Sequence, residues 1–239
     1  MNKEKFLEEL NKLGIDLTGK QLISLNAYCE FLKEYNNHTN LTSITDDEGI
    51  FLKHFYDSLT FVKAINLEEY ETLLDIGTGA GFPGMVLKIV FPHLKVTLLD
   101  SNNKKITFLK ELAEKLQLNN IVFINGRAED FCKDNRESFD IVTARAVTNM
   151  TVLSELCLPL TKLNGYFIAM KGSNTEEIEE SKYAIKVLGG NLEEIINFNL
   201  PIEESRRNIV KIKKVKNTPN EYPRRYDKMV KKPLKNNSK

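Results

Sequence analysis

No apolar run in this sequence approaches the ~20 residues that a membrane-spanning helix needs. The stretch MNKEKFLEEL is charged and amphipathic, unlike a secretory signal. Cysteine is scarce, and Cys29, Cys132 and Cys157 are odd in number and widely spaced, without the paired spacing of metal ligands. This pattern excludes a disulfide framework and indicates packed thiols in a reducing compartment. We therefore expect a cytoplasmic protein with no membrane segment and no metal.

The net charge is close to zero overall but unevenly distributed. The 239-residue chain carries a formal +1, whereas the segment from Lys211 onward has eleven Lys or Arg and two acids, a net +9, which leaves −8 for residues 1–210. Such a basic arm favours a polyanionic partner, because each cation that neutralises a phosphate releases condensed counterions. A solvated, disordered tail is the alternative that composition leaves open.

The first part of the chain has helical periodicity. TGKQ at 18–21 is a capping-box pattern, and apolar residues then recur at helical spacing from Leu22 to Leu32. A second periodic stretch runs from about Asp46 to Ile65. We predict an N-terminal helical cap over residues 1–66.

From Thr72 short β-branched runs (TLLDIG, KVTLLD, IVFING, FDIVTARA) alternate with longer amphipathic ones. This alternation predicts a Rossmann-like α/β domain over residues 67–216, with a mostly parallel sheet and helices on both faces. NLEEIINFNLP and SRRNIVKIKKV predict an antiparallel strand pair at one edge. Residues 217–239 form a basic C-terminal tail with too few apolar residues for its own core, so we expect order only where it docks.

The stretch DIGTGAG at 75–81 lies between the first strand and the first helix, where a glycine turn brings backbone close to a ligand. The dinucleotide pattern G-x-G-x-x-G is not met, because Phe82 takes the third glycine position and Gly81 falls one residue early. No G-K-[ST] follows for a phosphate-binding Walker loop. The turn instead resembles the first motif of class I S-adenosylmethionine-dependent methyltransferases, in which the glycines lie against the amino-acid and ribose parts of the cofactor.

The next two strands support a cofactor site at the same end of the sheet. KVTLLD ends in Asp100, 19 residues after Gly81, where a carboxylate can accept hydrogen bonds from ribose hydroxyls. IVFING leads into the GRAED stretch at 126–130, the place where such enzymes usually line the adenine pocket.

DIGTGAGFPG, VTLLDS, GRAED and FDIVTARA together closely resemble the glucose-inhibited division protein B family, the bacterial 16S rRNA guanine-N7 methyltransferases. NLTSITD at 40–46, KHFYDSL at 53–59, MKG at 170–172, and YPRR and KKPL in the tail agree, so the resemblance covers nearly the whole chain. It implies methyl transfer from S-adenosylmethionine to N7 of one guanine in the 530-loop region of 16S rRNA, bare or within the small ribosomal subunit. With the glycine turn, the implied cofactor-binding residues are Asp75, Gly77, Gly79, Gly81, Phe82, Asp100, Ala128, Glu129 and Arg145.

Guanine N7 carries an in-plane lone pair and no hydrogen, so its attack on a sulfonium methyl group needs no general base. The sequence agrees, since it has no proline-cysteine pair of the cytosine-C5 enzymes and no [ND]-P-P-[YF] stretch for exocyclic amines. Arg145 follows the strand FDIVTA at the carboxyl end of the sheet, where a guanidinium can hold a phosphate, guanine O6 or the cofactor carboxylate. We predict that Arg145 positions the substrate; an ion pair with Asp140 is the structural alternative. Arg127 could serve similarly or form a surface ion pair.

We predict that the tail binds RNA through Arg224, Arg225, Lys231 and Lys232, which are interleaved with aromatic residues. Deleting residues 217–239 should then weaken RNA binding and its salt dependence while leaving cofactor affinity intact. His54 and Asp57, one helical turn apart, could be mistaken for a catalytic dyad, and we favour packing or hydrogen bonding for His54. Phe82 or Tyr56 could stack on a flipped base, or could belong to the core.

Three rival functions remain at this stage. One is a dinucleotide oxidoreductase, which the displaced third glycine disfavours. The second is a ribosome-assembly RNA-binding protein that keeps S-adenosylmethionine as a structural ligand, and the third is a methyltransferase acting on another acceptor.

Overall fold

A seven-stranded mixed sheet forms the centre of the computed structural model, which describes residues 1–236. The strands are β1 (Thr72–Ile76), β2 (Lys95–Asp100), β3 (Ile121–Asn125), β4 (Phe139–Arg145), β5 (Thr161–Lys171), β6 (Gly190–Asn199) and β7 (Arg206–Lys214). Their order is β3-β2-β1-β4-β5-β7-β6, in which the first five are parallel and β7 runs antiparallel to both β5 and β6. The antiparallel pair lies at one edge, as predicted. The carboxyl ends of the parallel strands meet at one end of the sheet, where ligands bind in open α/β folds.

The helices are α1 (Lys3–Lys12), α2 (Gly19–Thr39), α3 (Asp47–Gly49), α4 (Asp57–Leu59), α5 (Gly84–Val90), α6 (Asn103–Lys115), α7 (Ala128–Asn135), α8 (Met150–Cys157), α9 (Glu176–Val187) and α10 (Tyr226–Lys231). Helix α2 begins at the predicted capping box, in which the Thr18 and Gln21 side chains each accept from the other's backbone N–H. Between α3 and α4 the chain is π-helical over Ile50–Tyr56, a form often found at functional sites. Within residues 1–236, no helix combines the length and the apolar character that crossing a bilayer requires.

Consecutive strand residues alternate between two hydrophobic cores, one on each face of the sheet. In β1, Leu73 packs in the core that includes residues of α1, α2, α5 and α6, whereas Leu74 packs in the core that includes residues of α7, α8, α9 and α10. Ile141 and Val142 of β4 divide in the same way. Helices therefore cover both faces, as the alternating sequence pattern predicted.

The N-terminal helices share a core with the sheet. Phe6 of α1, Tyr28 of α2 and Phe55 of the π-helical segment are fully buried in the same cluster as Leu98 of β2. The N-terminal helices and the sheet therefore share one core on this face of the sheet, and the division at residue 66 stays a prediction. This packing holds the segment that carries His54 and Asp57 against the sheet.

The described part of the C-terminal tail docks on α7 and α8. Arg136, the C-cap residue that follows α7, donates to the carbonyl oxygens of Pro219 and Tyr222 at 2.9 and 2.6 Å. Met229 of α10 is fully buried in the second core. The docking agrees with the expectation that this polar segment is ordered only where it docks; residues 237–239 of the predicted tail lie outside the described residues.

Candidate active site

The loop between β1 and α5 holds three glycines in the left-handed region of the backbone. Their φ angles are +67° at Gly77, +61° at Gly79 and +100° at Gly81, which side chains disfavour. A Cβ at Gly77 would lie 2.7 Å from Cγ2 of Val147, and one at Gly81 would lie 2.6 Å from the hydroxyl of Tyr28. At Gly79 the nearest atom would be the Gly77 carbonyl oxygen at 3.9 Å. Packing thus requires the first and third glycines, whereas the middle one keeps a face open to a ligand.

Asp75 fixes the shape of this loop from below. Its side chain is fully buried, and Oδ2 accepts hydrogen bonds from Thr78 Oγ1 at 2.8 Å and from the Gly84 backbone N–H at 2.9 Å. Oδ1 accepts none from residues 1–236. Burial raises the pKa of this carboxyl group to about 7, with the two hydrogen bonds opposing the rise. The contacts give Asp75 a role in shaping the loop between β1 and α5.

Asp100, the last residue of β2, lies directly beside the open glycine. Its Oδ2 accepts from the Gly79 backbone N–H at 3.0 Å, and Oδ1 accepts from Asn102 N–H at 2.9 Å. Each carboxylate oxygen can accept a second hydrogen bond. The structure therefore brings together two of the predicted cofactor residues, Gly79 and Asp100, from neighbouring strands.

The residues predicted to line the adenine pocket follow the next strand, β3. Asn125 at the end of β3 pairs with Asp100 and donates through Nδ2 to its carbonyl oxygen at 3.1 Å. Ala128 and Glu129 follow at the start of α7, the first buried and the second partly exposed. An open glycine face, a carboxylate and a third strand end thus follow one another along the sheet, and this set fits the amino-acid, ribose and adenine parts of S-adenosylmethionine.

Arg145 ends β4 and is held by the N-terminal helical segment. Nη1 donates to Asp57 Oδ2 at 2.9 Å and to the Lys53 carbonyl oxygen at 3.0 Å. Asp57, 5 % exposed, also accepts from Nε of Arg207 at 3.2 Å through its other oxygen. Asp140, the carboxylate considered as a partner from the sequence, instead accepts from Thr72 and pairs with Lys162 at the opposite end of the strand. Arg145 therefore has a structural carboxylate partner, but it is Asp57.

His54 and Phe82 form a stack beside Arg145. The two rings are 4.3 Å apart and within 12° of parallel, and Arg145 Cζ lies 5.1 Å from the centre of the Phe82 ring. Nε2 of His54 contacts Thr42 Oγ1 at 2.8 Å, and its Nδ1 lies 3.3 Å from Arg145 Nη2. Because Arg145 can only donate, Nδ1 is the acceptor and the proton is on Nε2. Burial and the Arg145 charge lower the His54 pKa to about 3.

These contacts decide between the alternatives for the aromatic residues. His54 has the packing and hydrogen-bonding environment that we favoured over a catalytic dyad. Phe82 is 6 % and Tyr56 5 % exposed, and Phe82 also stacks on Tyr28 at 5.5 Å. The hypothesis of a free ring that stacks on a flipped base is therefore wrong, and the alternative is right, because both rings belong to the core. Phe82 instead links the glycine loop to Arg145.

A cavity of about 560 Å³ opens beside Arg145, between the N-terminal helical segment and the ends of β4, β5 and β7. Its cationic lining residues are Lys53, Arg145, Lys171 and Arg207, and Asn208 lines it as well. Lys171 donates to the Thr148 carbonyl oxygen at 2.8 Å and pairs with Glu177. No motif in the sequence pointed to Lys171, Arg207 or Asn208 as site residues. Lys171 could have been found from the sequence, because it ends an apolar strand. Arg207 and Asn208 could not, because they lie on β7, and its position near β4 depends on the order of the strands in the sheet.

The thiol of Cys29 lies near two carboxylates, those of Glu30 and Asp47. Asp47 is already paired with Lys33 at 2.6 Å, and burial raises the Cys29 pKa to about 12. A protonated thiol and a carboxylate neutralised by lysine make poor metal ligands. We therefore assign no metal to this cluster.

Comparison with known proteins identifies the family. The profile of the GidB family, described as rRNA small subunit methyltransferase G, matches residues 21–210. The chain belongs to this family. A protein of Bacillus subtilis (strain 168) named ribosomal RNA small subunit methyltransferase G is 53% identical over 94% of this chain and 95% of its own length. One of the same name from Exiguobacterium sibiricum is 50% identical over 98% of this chain and all of its own. The family resemblance seen in the sequence is confirmed.

Solved structures confirm the fold class. A SAM-dependent methyltransferase from Aquifex aeolicus superimposes with a TM-score of 0.53 at 20% identity, covering 74% of this chain and 98% of that one. A mutant 16S rRNA (adenine(1408)-N(1))-methyltransferase with the cosubstrate SAM gives 0.52 at 14% identity, covering 62% of this chain and 87% of that one. At these identities the likeness concerns the fold alone, which is the predicted class I methyltransferase fold.

Proposed function

We propose that this GidB-family chain is a cytoplasmic enzyme that transfers a methyl group from S-adenosylmethionine to N7 of one guanine in the 530-loop region of 16S rRNA. Family membership supports the reaction class and the ribosomal RNA substrate. The observation that carries the cofactor assignment is the open face of Gly79 beside the Asp100 carboxylate. The N7 atom and the position in the RNA rest on the resemblance of the sequence motifs.

The residues that we propose to hold the cofactor are Gly77, Gly79, Gly81, Phe82, Asp100, Ala128, Glu129 and Arg145, with Asp75 acting through the loop. Asp100 has acceptor capacity left for ribose hydroxyls, because each carboxylate oxygen accepts one backbone N–H. Phe82 adjoins the glycine loop, and Arg145 lies over the Phe82 ring. When bound, S-adenosylmethionine supplies an electrophilic methyl group on a positively charged sulfur.

No proton needs to move at the reacting atom, because N7 offers a free lone pair. The protein's contribution is then to align the purine with the methyl group. Proximity alone can lower the barrier by about 7–11 kcal/mol. Arg145 suits this task. Of its five N–H groups, three donate to Asp57, Lys53 and His54, and the other two have no partner among residues 1–236. These two are free for guanine O6 or a phosphate.

The C-terminal tail offers an RNA surface that differs from the predicted one in one residue. Arg225, Lys231 and Lys232 are exposed, and the Arg225 side chain is 90 % exposed. Arg224 is not available in the same way, because its guanidinium is committed to Glu155 at 2.6 Å. We therefore propose that Arg225, Lys231 and Lys232 contact RNA phosphates and that Arg224 anchors the tail. The target base lies in a loop or is flipped out, since the major groove of A-form RNA is deep and narrow.

The first test is transfer of a labelled methyl group from S-adenosylmethionine to small-subunit rRNA, offered bare and as assembled particles, followed by chemical cleavage at N7-methylguanine. A single cleavage site in the 530 loop is the expected result. Labelling at another atom or RNA region would overturn the proposed acceptor. RNA binding with no incorporation into either form would favour the assembly-factor alternative, and preferential binding of NADH in a titration would favour the oxidoreductase.

A further inference from the structure

The cavity beside Arg145 contains an acceptor that the protein does not use. The Asn208 side chain is fully buried in its wall, and Nδ2 donates to the Gly172 carbonyl oxygen. Its Oδ1 is buried and accepts no hydrogen bond from residues 1–236. A buried, unpaired carbonyl oxygen is destabilising, and native proteins keep few of them. Such an atom at a cavity wall needs an explanation.

The orientation of this amide follows from its neighbour. If the amide were turned over, Oδ1 would face the Gly172 carbonyl oxygen, and two acceptors would meet. The acceptor atom of Asn208 is therefore the unpartnered one. Any ligand that satisfies it must supply an N–H or O–H group.

The same cavity is bordered by cations that are held in place. Asp57 accepts from Arg145 through one carboxylate oxygen and from Arg207 through the other, at 2.9 and 3.2 Å. Lys171 is tied to Glu177 and to the Thr148 carbonyl oxygen. The lining of the cavity thus includes fixed donors and Asn208, whose buried Oδ1 is an unused acceptor.

This combination of donors and an acceptor matches the Watson–Crick edge of guanine and does not match that of adenine. The Watson–Crick edge of guanine has an acceptor, O6, beside two donors, N1–H and the N2 amino group, whereas adenine has a donor at N6 and an acceptor at N1. Arginine donors suit O6, and an amide oxygen suits N1–H or N2–H. Adenine would place its N6 amino group against a guanidinium and its N1 lone pair against Oδ1.

We propose that Asn208 selects guanine by accepting a hydrogen bond from the Watson–Crick N–H groups of the target base, which enters this cavity beside the Asp57-held arginines. The inference rests on the proposed function and adds the residue that sets base specificity. Asn208 moves no proton in this role. It restricts the orientations of the purine to those in which the adjoining Hoogsteen edge, with N7, is presented to the methyl donor.

The test is a double-mutant cycle between enzyme and RNA. The target guanine in 16S rRNA is replaced by inosine, which lacks the N2 amino group, or by 2-aminopurine, which lacks N1–H and O6; both keep N7. Labelled methyl incorporation gives kcat/KM for wild type and Asn208→Ala. Wild type should lose about fivefold to 150-fold on at least one analogue, the discrimination typical of a good base-edge hydrogen-bond pair. Asn208→Ala should lose that preference, and the effect of the missing O6 cancels in the cycle.

The matched control is Asn197→Ala. Asn197 faces Asn208 across the β6–β7 pair but is exposed and lies outside the cavity lining, so this variant should keep the full preference for guanine. Equal preferences in Asn208→Ala and wild type would overturn the proposal. If Asn208→Ala does not fold, unchanged kcat/KM of wild type on both analogues would still refute it. Failure of wild type to methylate the guanine RNA would refute the proposed function instead, so the two failures are distinct.

Discussion

Arg224→Ala should destabilise the whole protein, although Arg224 lies in the basic tail. Glu155 of α8 is 1 % exposed, and its carboxylate receives three hydrogen bonds from Arg224: the backbone N–H at 2.9 Å, Nε at 2.8 Å and Nη2 at 2.6 Å. Alanine removes the two charged donors and leaves a buried carboxylate with one backbone N–H. Breaking a buried pair from one side costs about 3–5 kcal/mol, a large part of the 5–15 kcal/mol by which a domain is stable.

The assay is urea unfolding of the full chain at pH 7, with thermal melting as a second readout. For a chain of this size 1 kcal/mol corresponds to about 2–4 °C in Tm, so we expect a decrease of about 6–20 °C. The neighbouring Arg225→Ala is the control, because its exposed pair with Asp227, at 3.6 Å, should contribute no more than about 1 kcal/mol. Substituting Glu155 and Arg224 together by apolar residues should recover much of the loss. Equal stabilities of Arg224→Ala and Arg225→Ala would refute the anchoring role.

Three further predictions follow from the site and the tail. Gly79→Ala should lower S-adenosylmethionine affinity at least tenfold by calorimetry. The control Gly14→Ala has the same left-handed strain (φ +75°) in open space and should cost about 1–2 kcal/mol of stability without changing cofactor affinity. Equal cofactor affinities of the two variants would contradict an open cofactor face at Gly79. The His54 pKa falls from 6.5 in the unfolded chain to about 3 in the folded protein, so its contribution to stability is present above pH 6.5 and declines by about 2 kcal/mol between pH 7.5 and 5. His54→Gln should therefore make the stability measured by urea unfolding less dependent on pH in that range. An unchanged pH dependence would show that His54 is not buried in its neutral form. Replacing Arg225, Lys231 and Lys232 by alanine should reduce the slope of the log RNA-binding constant against log salt concentration by about 0.7–0.9 for each phosphate that is no longer neutralised. The control Lys20→Ala removes an exposed cation elsewhere and should leave this slope unchanged. If the triple variant and wild type had equal slopes, the RNA surface would lie elsewhere.

The tail substitutions replace the deletion of residues 217–239 as the test of RNA binding. The deletion would also remove Arg224 from Glu155 and Met229 from the second core. A loss of RNA binding could then come from unfolding. The sequence indicated a basic segment that is ordered only where it docks, but it contained no signal for which of the two adjacent arginines faces inward, because that depends on where a glutamate of α8 lies.

Much of the fold follows from local patterns in the sequence. The capping box starts α2 at the predicted residue, and the alternation of strand and helix runs predicted the parallel strands and the antiparallel edge pair. These features depend on period and turn chemistry, which are local. The proximity of Gly79 and Asp100 was also accessible, because the carboxyl ends of parallel strands meet at one end of the sheet.

The interactions that the sequence missed are those between distant segments. Asp57 and Arg145 are 88 residues apart, and Arg207 is 150 from Asp57. The sequence offered Asp140, on the same strand, as the partner of Arg145. Asp140 lies at the start of that strand and Arg145 at its end, so the strand itself keeps them apart. Only packing of the N-terminal helical segment on the sheet brings Asp57 to Arg145.

This packing also explains the charge state of the pocket. Two ionisable groups that feel the Arg145 charge are held neutral: burial raises the Tyr28 pKa, and burial together with Arg145 lowers the pKa of His54. The charged groups of the cavity include the Asp57 carboxylate, the two arginines that it holds, and the Lys171–Glu177 pair. Methyl transfer to N7 moves positive charge from sulfur to the purine without adding or removing a proton. Neither His54 nor Tyr28 titrates near neutrality, so a change of activity with pH in that range should come from Asp75, whose pKa is about 7 and whose carboxyl group shapes the glycine loop.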